Sequence, residues 1–125
     1  MSYGKIRANY LEHNTSGSLG SEYIIEGSAK AKVAADNGAS LYTDANLNIS
    51  SAVDEGTGDY KYNVTNAFIY SVASNCAAGV AAGTSAVVRI KTAESSTTII
   101  DIECMNDAFS PLDSRHMMAC FGDLA

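Results

Sequence analysis

No window of about 18 apolar residues occurs in the chain, so no segment is expected to span a membrane. No apolar run stands behind the N-terminal charges Lys5 and Arg7, so no signal peptide is expected, and the protein is expected to be made and assembled in a cytosol. Basic residues are scarce: eight, scattered from Lys5 to Arg115, stand against 14 acidic ones, for a formal charge of -6. Phosphate backbones need a basic face, so nucleic acid is excluded as a partner. No C-x-x-C pair occurs. The odd set Cys76, Cys104 and Cys120 reads as reduced, buried thiols in small apolar niches, not as a disulfide or metal site. Without a secretion signal the sequons at Asn14, Asn48 and Asn63 read as chance matches. There is one proline, Pro111, and tryptophan is absent, so aromatic work falls mainly to seven tyrosines. Helical periodicity is missing as well: no long segment repeats apolar residues at three and four.

Alternation is there instead. The chain is 46% apolar and 18% charged, the balance of a globular protein, and 125 residues suffice for one core. In Tyr60-Lys61-Tyr62-Asn63-Val64 the apolar positions are 60, 62 and 64. In Ala86-Val87-Val88-Arg89-Ile90-Lys91 positions 86, 88 and 90 share a face, with Arg89 and Lys91 opposite. In Ile100-Asp101-Ile102-Glu103-Cys104 positions 100, 102 and 104 point inward and the acids outward. Period two with one wet face marks antiparallel strands. Strands are expected over 21–26, 28–35, 39–42, 46–53, 59–66, 69–76, 85–92, 97–105 and 115–121. Turn signals separate them at Asp36-Asn37-Gly38, Asp54 to Gly58, Gly79 to Gly83 and Glu94-Ser95-Ser96. The fold class that follows is all-β, an antiparallel β-sandwich over residues 26–125, with no helix longer than two turns. The Ala/Gly run 77–83 reads as a loop. Residues 1–25 differ from the rest, with Leu11 to Gly20 polar, small and Gly/Ser-rich, and read as an extended arm reaching on the order of 80 Å when stretched. Its apolar residues Ile6, Tyr10, Tyr23, Ile24 and Ile25 are the candidates for attachment or oligomerisation, since a strand added to a neighbour's edge would bury them.

The stretch "SSAVDEGTGDYKYNVTNAF" raises the question of chemistry. Asp54, Glu55 and Asp59 could hold a hard cation through oxygen, yet their spacing fails the calcium-loop pattern, and Gly56-Thr57-Gly58 fails the dinucleotide pattern. Glycines for positive φ and polar residues for solvation fit a tight, solvent-exposed reversal without metal. His116 lies too close in sequence to Asp113 and Ser114 for a triad, whose groups converge from separate elements. No catalytic residues, cofactor or metal are expected, and the chain reads as non-enzymatic. Tyr42, Tyr60, Tyr62 and Tyr70 are candidates for stacking on a sugar, against core or interface packing as the alternative.

One run carries a resemblance. "NISSAVDEGTGDYKYNVTNAF" is similar to a segment that recurs in bacteriophage tail-fibre and related virion proteins. The matching residues are Asn48, Ser50, Ser51, Asp54, Gly56, Thr57, Gly58, Asp59, Tyr60 and Asn63, then Tyr70, Ser71 and Val72. "GSAKAKV" from Gly27 resembles the lead-in of the same domains, with Lys32 where members usually carry Trp. "TSAVVRIKT" and "CFG" (Cys120 to Gly122) resemble their last strands. The likeness covers about residues 26 to 122. It implies a small, commonly homotrimeric β-sandwich on a phage virion, assembled in the host cytoplasm. The partners it implies are other virion proteins (capsid, tail or fibre) and, for a fibre tip, host-surface glycan. Two functions follow as expectations: an accessory or decoration protein fixed to the particle by its arm and one oligomer face, or a lectin-like tip for host attachment.

Overall fold

The computed structural model describes residues 8–13, 17–21, 24, 27–42, 45–71, 76–80 and 86–125. Alternation decides its central strands. In Asp59–Val64 the side chains of Tyr60, Tyr62 and Val64 are buried while Asp59, Lys61 and Asn63 stay partly wet. In Ile99–Asn106 the residues Ile100, Ile102 and Cys104 turn to the same interior.

In chain order the strands are β1 (Tyr10–His13), β2 (Gly17–Gly20), β3 (Ala31–Ala35), β4 (Ile49–Gly56), β5 (Asp59–Val64), β6 (Cys76–Val80), β7 (Ala86–Ile90), β8 (Ile99–Asn106) and β9 (His116–Cys120). They form a four-stranded sheet, β4-β5-β8-β7, a three-stranded sheet, β3-β9-β6, and a two-stranded sheet of β1 and β2 alone. Every pairing between them is antiparallel. The fold is all-β, with the core between the two larger sheets. Ala31, Val33, Ala35, Met118 and Cys120 come from one, and Tyr60, Tyr62, Val64, Ile100 and Ile102 from the other, with Phe68 between the strands in sequence. Burying side chains of this size stabilises by about 1.5–3 kcal/mol each, before the entropy of ordering them.

Strand β4 is an edge of its sheet and is irregular. Its register against β5 shifts between Ile49 and Ser51 and again between Asp54 and Gly56. The reversal from β4 to β5 uses Thr57 and Gly58, with Gly56 opposite Asp59. Asp54, Glu55 and Gly56 belong to the strand, not to the turn. Gly58 has φ +71° and is buried, so this side of the tip does not face solvent as the composition suggested. Its N–H donates to Asp113 Oδ1 (2.7 Å), and its carbonyl accepts from Cys104 N–H (2.7 Å).

Several boundaries differ from the sequence expectation. Within the stretch expected as an extended arm, Tyr10–His13 pairs with Gly17–Gly20, with Tyr10 opposite Gly20 and His13 opposite Gly17, while residues 1–7 lie outside the described residues. Glycines and serines carry no pattern to reveal such a hairpin, and folding back shortens the reach. Of the strand expected over 21–26 only Ser21 and Ile24 are described, and Ser28 N–H donates to Ile24 O, the i to i−4 bond of a helical turn. Residues 39–42 contribute one bridge, Ala35 to Leu41, and 69–71 lie outside any strand. The Ala/Gly run expected as a loop opens as β6, paired with β9. The cysteine expectation is corrected in part. Cys76 and Cys120 sit directly opposite each other on β6 and β9 and form a disulfide, with their Cα atoms 4.0 Å apart. Their separation of 44 residues hid that register. Cys104 is a free, buried thiol, and burial pushes it up to about 11.

Candidate functional site

The densest gathering of charge lies on the outer face of the four-stranded sheet. Lys61 on β5 stands opposite Asp101 on β8, and Arg89 on β7 stands opposite Glu103. Lys91, just past β7, donates its backbone N–H to Asp101 O. The turn that follows folds back over the face. Asp101 N–H donates to Ser95 Oγ (3.1 Å), and Ser95 N–H donates to Lys91 O. Asp101 is therefore fully buried, although alternation puts it on the wet side.

Two ammonium groups hold this network. Lys61 Nζ lies 2.7 Å from Glu55 Oε2, 3.4 Å from Asp101 Oδ2 and 3.9 Å from Glu94 Oε2. Lys91 Nζ lies 3.0 Å from Asp59 Oδ2, 3.3 Å from Glu94 Oε2 and 3.4 Å from Asp101 Oδ1. Oxygens of Glu55, Glu94 and Asp101 come within 4.8 Å of one another, close enough to hold a metal ion. The position between them belongs to the Lys61 ammonium, so the cation is supplied by the chain. The Glu55 hydrogen bond raises Lys61, and the carboxylates around it add to that. Burial pulls Lys91 down, but Asp59, Asp101 and Glu94 together outweigh it and leave it raised. Burial pushes the Asp101 carboxyl up against the pull of Lys91 and Lys61, each of which faces one of its oxygens at 3.4 Å.

The acids of the quoted stretch are thus each engaged structurally. Asp54 Oδ1 accepts from Gly56 N–H (3.0 Å), Glu55 pairs with Lys61, and Asp59 pairs with Lys91. The pocket beside them, about 280 Å³ and lined by Arg89 to Glu94, falls just below the usual range of small-molecule sites.

A second polar cluster sits in the core around His116. Its Nδ1 lies 2.8 Å from Ser114 O, which only accepts, so the proton is on Nδ1. Nε2 is then the acceptor for the Tyr62 O–H. Tyr60 stacks on the imidazole, with ring centroids 4.5 Å apart, and its O–H donates to Asn37 O (2.9 Å), with Asp113 Oδ1 3.2 Å away. Burial lowers the His116 pKa and raises those of Tyr60 and Tyr62. The tautomer is fixed and the ring is shut away, which suits a structural strut.

The four tyrosine candidates for a sugar separate. Tyr60 and Tyr62 are fully buried on the inward face of β5, so they present no ring to a ligand. Tyr42 and Tyr70 are exposed, Tyr70 to 71%. Of the arm candidates, Tyr10 is 68% exposed and Ile24 is half-buried, while Ile6, Tyr23 and Ile25 lie outside the described residues. Sequence reasoning missed the Lys61–Asp101–Lys91 network. The alternation of 59–64 and 99–104 was its one available signal, because it aligns those charges on one face. Compared with known protein families, curated proteins and solved structures, the chain matches none.

Proposed function

We propose that this chain is a non-enzymatic structural protein of a tailed-phage virion, an accessory or decoration protein that works as a homotrimer and is fixed to the particle through its arm. The reading begins from the resemblance of residues 48–63 to virion appendage proteins. The observation that carries it is the sheet of β1 and β2, which pairs with no other strand among the described residues. A hairpin of two strands is at best marginally stable in water, and Tyr10 on it faces solvent. Docked on a capsid, tail or fibre protein, the hairpin gains the neighbour it lacks. The self-contained charge network and the locked His116 suit a structural role. A second reading, a host-glycan contact at a fibre tip, rests on the exposed rings of Tyr42 and Tyr70.

Deletion of residues 2–20 tests the first reading. The shortened chain is expected to keep its β-sheet circular dichroism and to be lost from purified particles. Incorporation at the full-length copy number would overturn the role of the arm. Hundreds of copies per particle would favour decoration, whereas a few trimers with glycan-array binding lost on Tyr70→Ala would favour the tip.

A further inference from the structure

The two outer faces of the sandwich differ in kind. The four-stranded face holds Glu55, Asp59, Lys61, Arg89, Asp101 and Glu103, tied into ion pairs. The strands of the other sheet, Ala31–Ala35, Cys76–Val80 and His116–Cys120, contain no aspartate or glutamate, although the chain has 14. The outward positions described are Lys32 on β3 and Met117 and Ala119 on β9, with Gly79 of β6 in register with Met117, while Ala34 of β3 is itself buried. Met117 is 49% exposed, in the middle strand of the sheet. Leu47, bridged to Lys32, is 50% exposed, and Tyr42, bonded to Ala34 O, and Phe121, the next residue after β9, are exposed too.

We infer that this face, centred on Met117 and Ala119, is where one copy of the chain meets another. The inference rests on the homotrimer reading above and names the surface that reading needs. Three points favour a second copy as the occupant. A chain of net charge -6 repels its own copies, and this sheet presents no carboxylate from its strands to add to that repulsion. Small side chains around one flexible methionine let a flat partner come to the roughly 10 Å at which sheets stack. The sheet, three strands wide at about 4.8 Å and five residues long at about 3.4 Å, offers a footprint on the order of 250 Å², which the exposed Leu47, Tyr42 and Phe121 extend toward the few-hundred-Å² size at which an apolar patch on a soluble chain is often functional. Asp44, between Tyr42 and Leu47 in sequence, lies outside the described residues.

The experiment compares the full chain with Met117→Asp and Val87→Asp by sedimentation at micromolar concentration, with circular dichroism to verify folding. Val87 is likewise exposed and apolar but lies on the charged face. We expect the wild type and Val87→Asp to associate, and folded Met117→Asp to weaken association at least about 100-fold, because a carboxylate would be buried unpaired. Association unchanged in Met117→Asp would overturn the inference and leave the homotrimer standing. A wild-type monomer would overturn both. Peroxide oxidation of the wild type covers the case in which Met117→Asp fails to fold. Met117 sulfoxide should form slowly in the oligomer and quickly after dilution to monomer. Fast oxidation in the oligomer would overturn the inference, and so would protection of Met117 in a monomer, which would place the chain's own arm there.

Discussion

A Cβ built on Gly58 would lie 2.3 Å from Cys104 O and 2.8 Å from Leu112 N, both of them backbone atoms that cannot step aside. Its φ of +71° also disfavours a side chain. Gly58→Ala is therefore expected to destabilise by about 3 kcal/mol or more, a fall of about 10 °C in Tm on thermal unfolding. An unchanged Tm would show that the tip is not clamped. His116 gives a pH dependence with a definite sign. Burial holds its folded pKa below the free value, so the unfolded chain takes up the proton first as pH falls. Stability is fully present above about pH 6.5 and is lost as pH drops below it. Melting at pH 7.5 and pH 5 should show that loss, and His116→Phe should reduce it.

At the scale of elements, the disulfide ties β6 to β9. It closes a long segment of chain, so reduction should lower stability by about 3–4 kcal/mol. The unreduced, denatured protein should show one alkylatable thiol, Cys104, and reduction should add two more; three thiols before reduction would refute the bond. On the other sheet, Lys61→Met leaves Glu55 and buried Asp101 short of a cation and should lower the Tm. In an Asp101→Asn background it should cost less, and a double-mutant cycle measures the difference. The strands themselves differ in how plainly they could be read. β5, β7 and β8 were legible because Tyr60, Tyr62, Ile100 and Ile102 alternate with charges, and hydrophobic contrast is what period two needs. β6 was not, because Cys-Ala-Ala-Gly-Val has little contrast and gains its place from pairing with β9. Of Tyr23-Ile24-Ile25 only Ile24 is described, and its carbonyl accepts from Ser28 N–H, an i to i−4 bond that alternation gives no hint of. Asp101 was legible as outward-facing but not as buried, since its cover arrives from the turn around Ser95.

For the whole molecule, charge and shape set opposite demands on association. Copies of net charge -6 repel at long range, and salt shortens that range to about 8 Å at physiological ionic strength. If copies meet through the face whose strands carry no acid, raising salt should strengthen self-association; weakening would mean that ion pairs hold the interface. The broken register of β4 acts at this scale as well. A regular, unpaired edge would invite the next molecule to add a strand, and the next after that, without end. Two breaks in register and the exposed Ser50, Ser51, Asp54 and Glu55 blunt that edge. An edge blunted in this way disfavours runaway filaments and leaves the faces as the surfaces through which copies could meet, and contact through faces can close on itself and stop at a finite number.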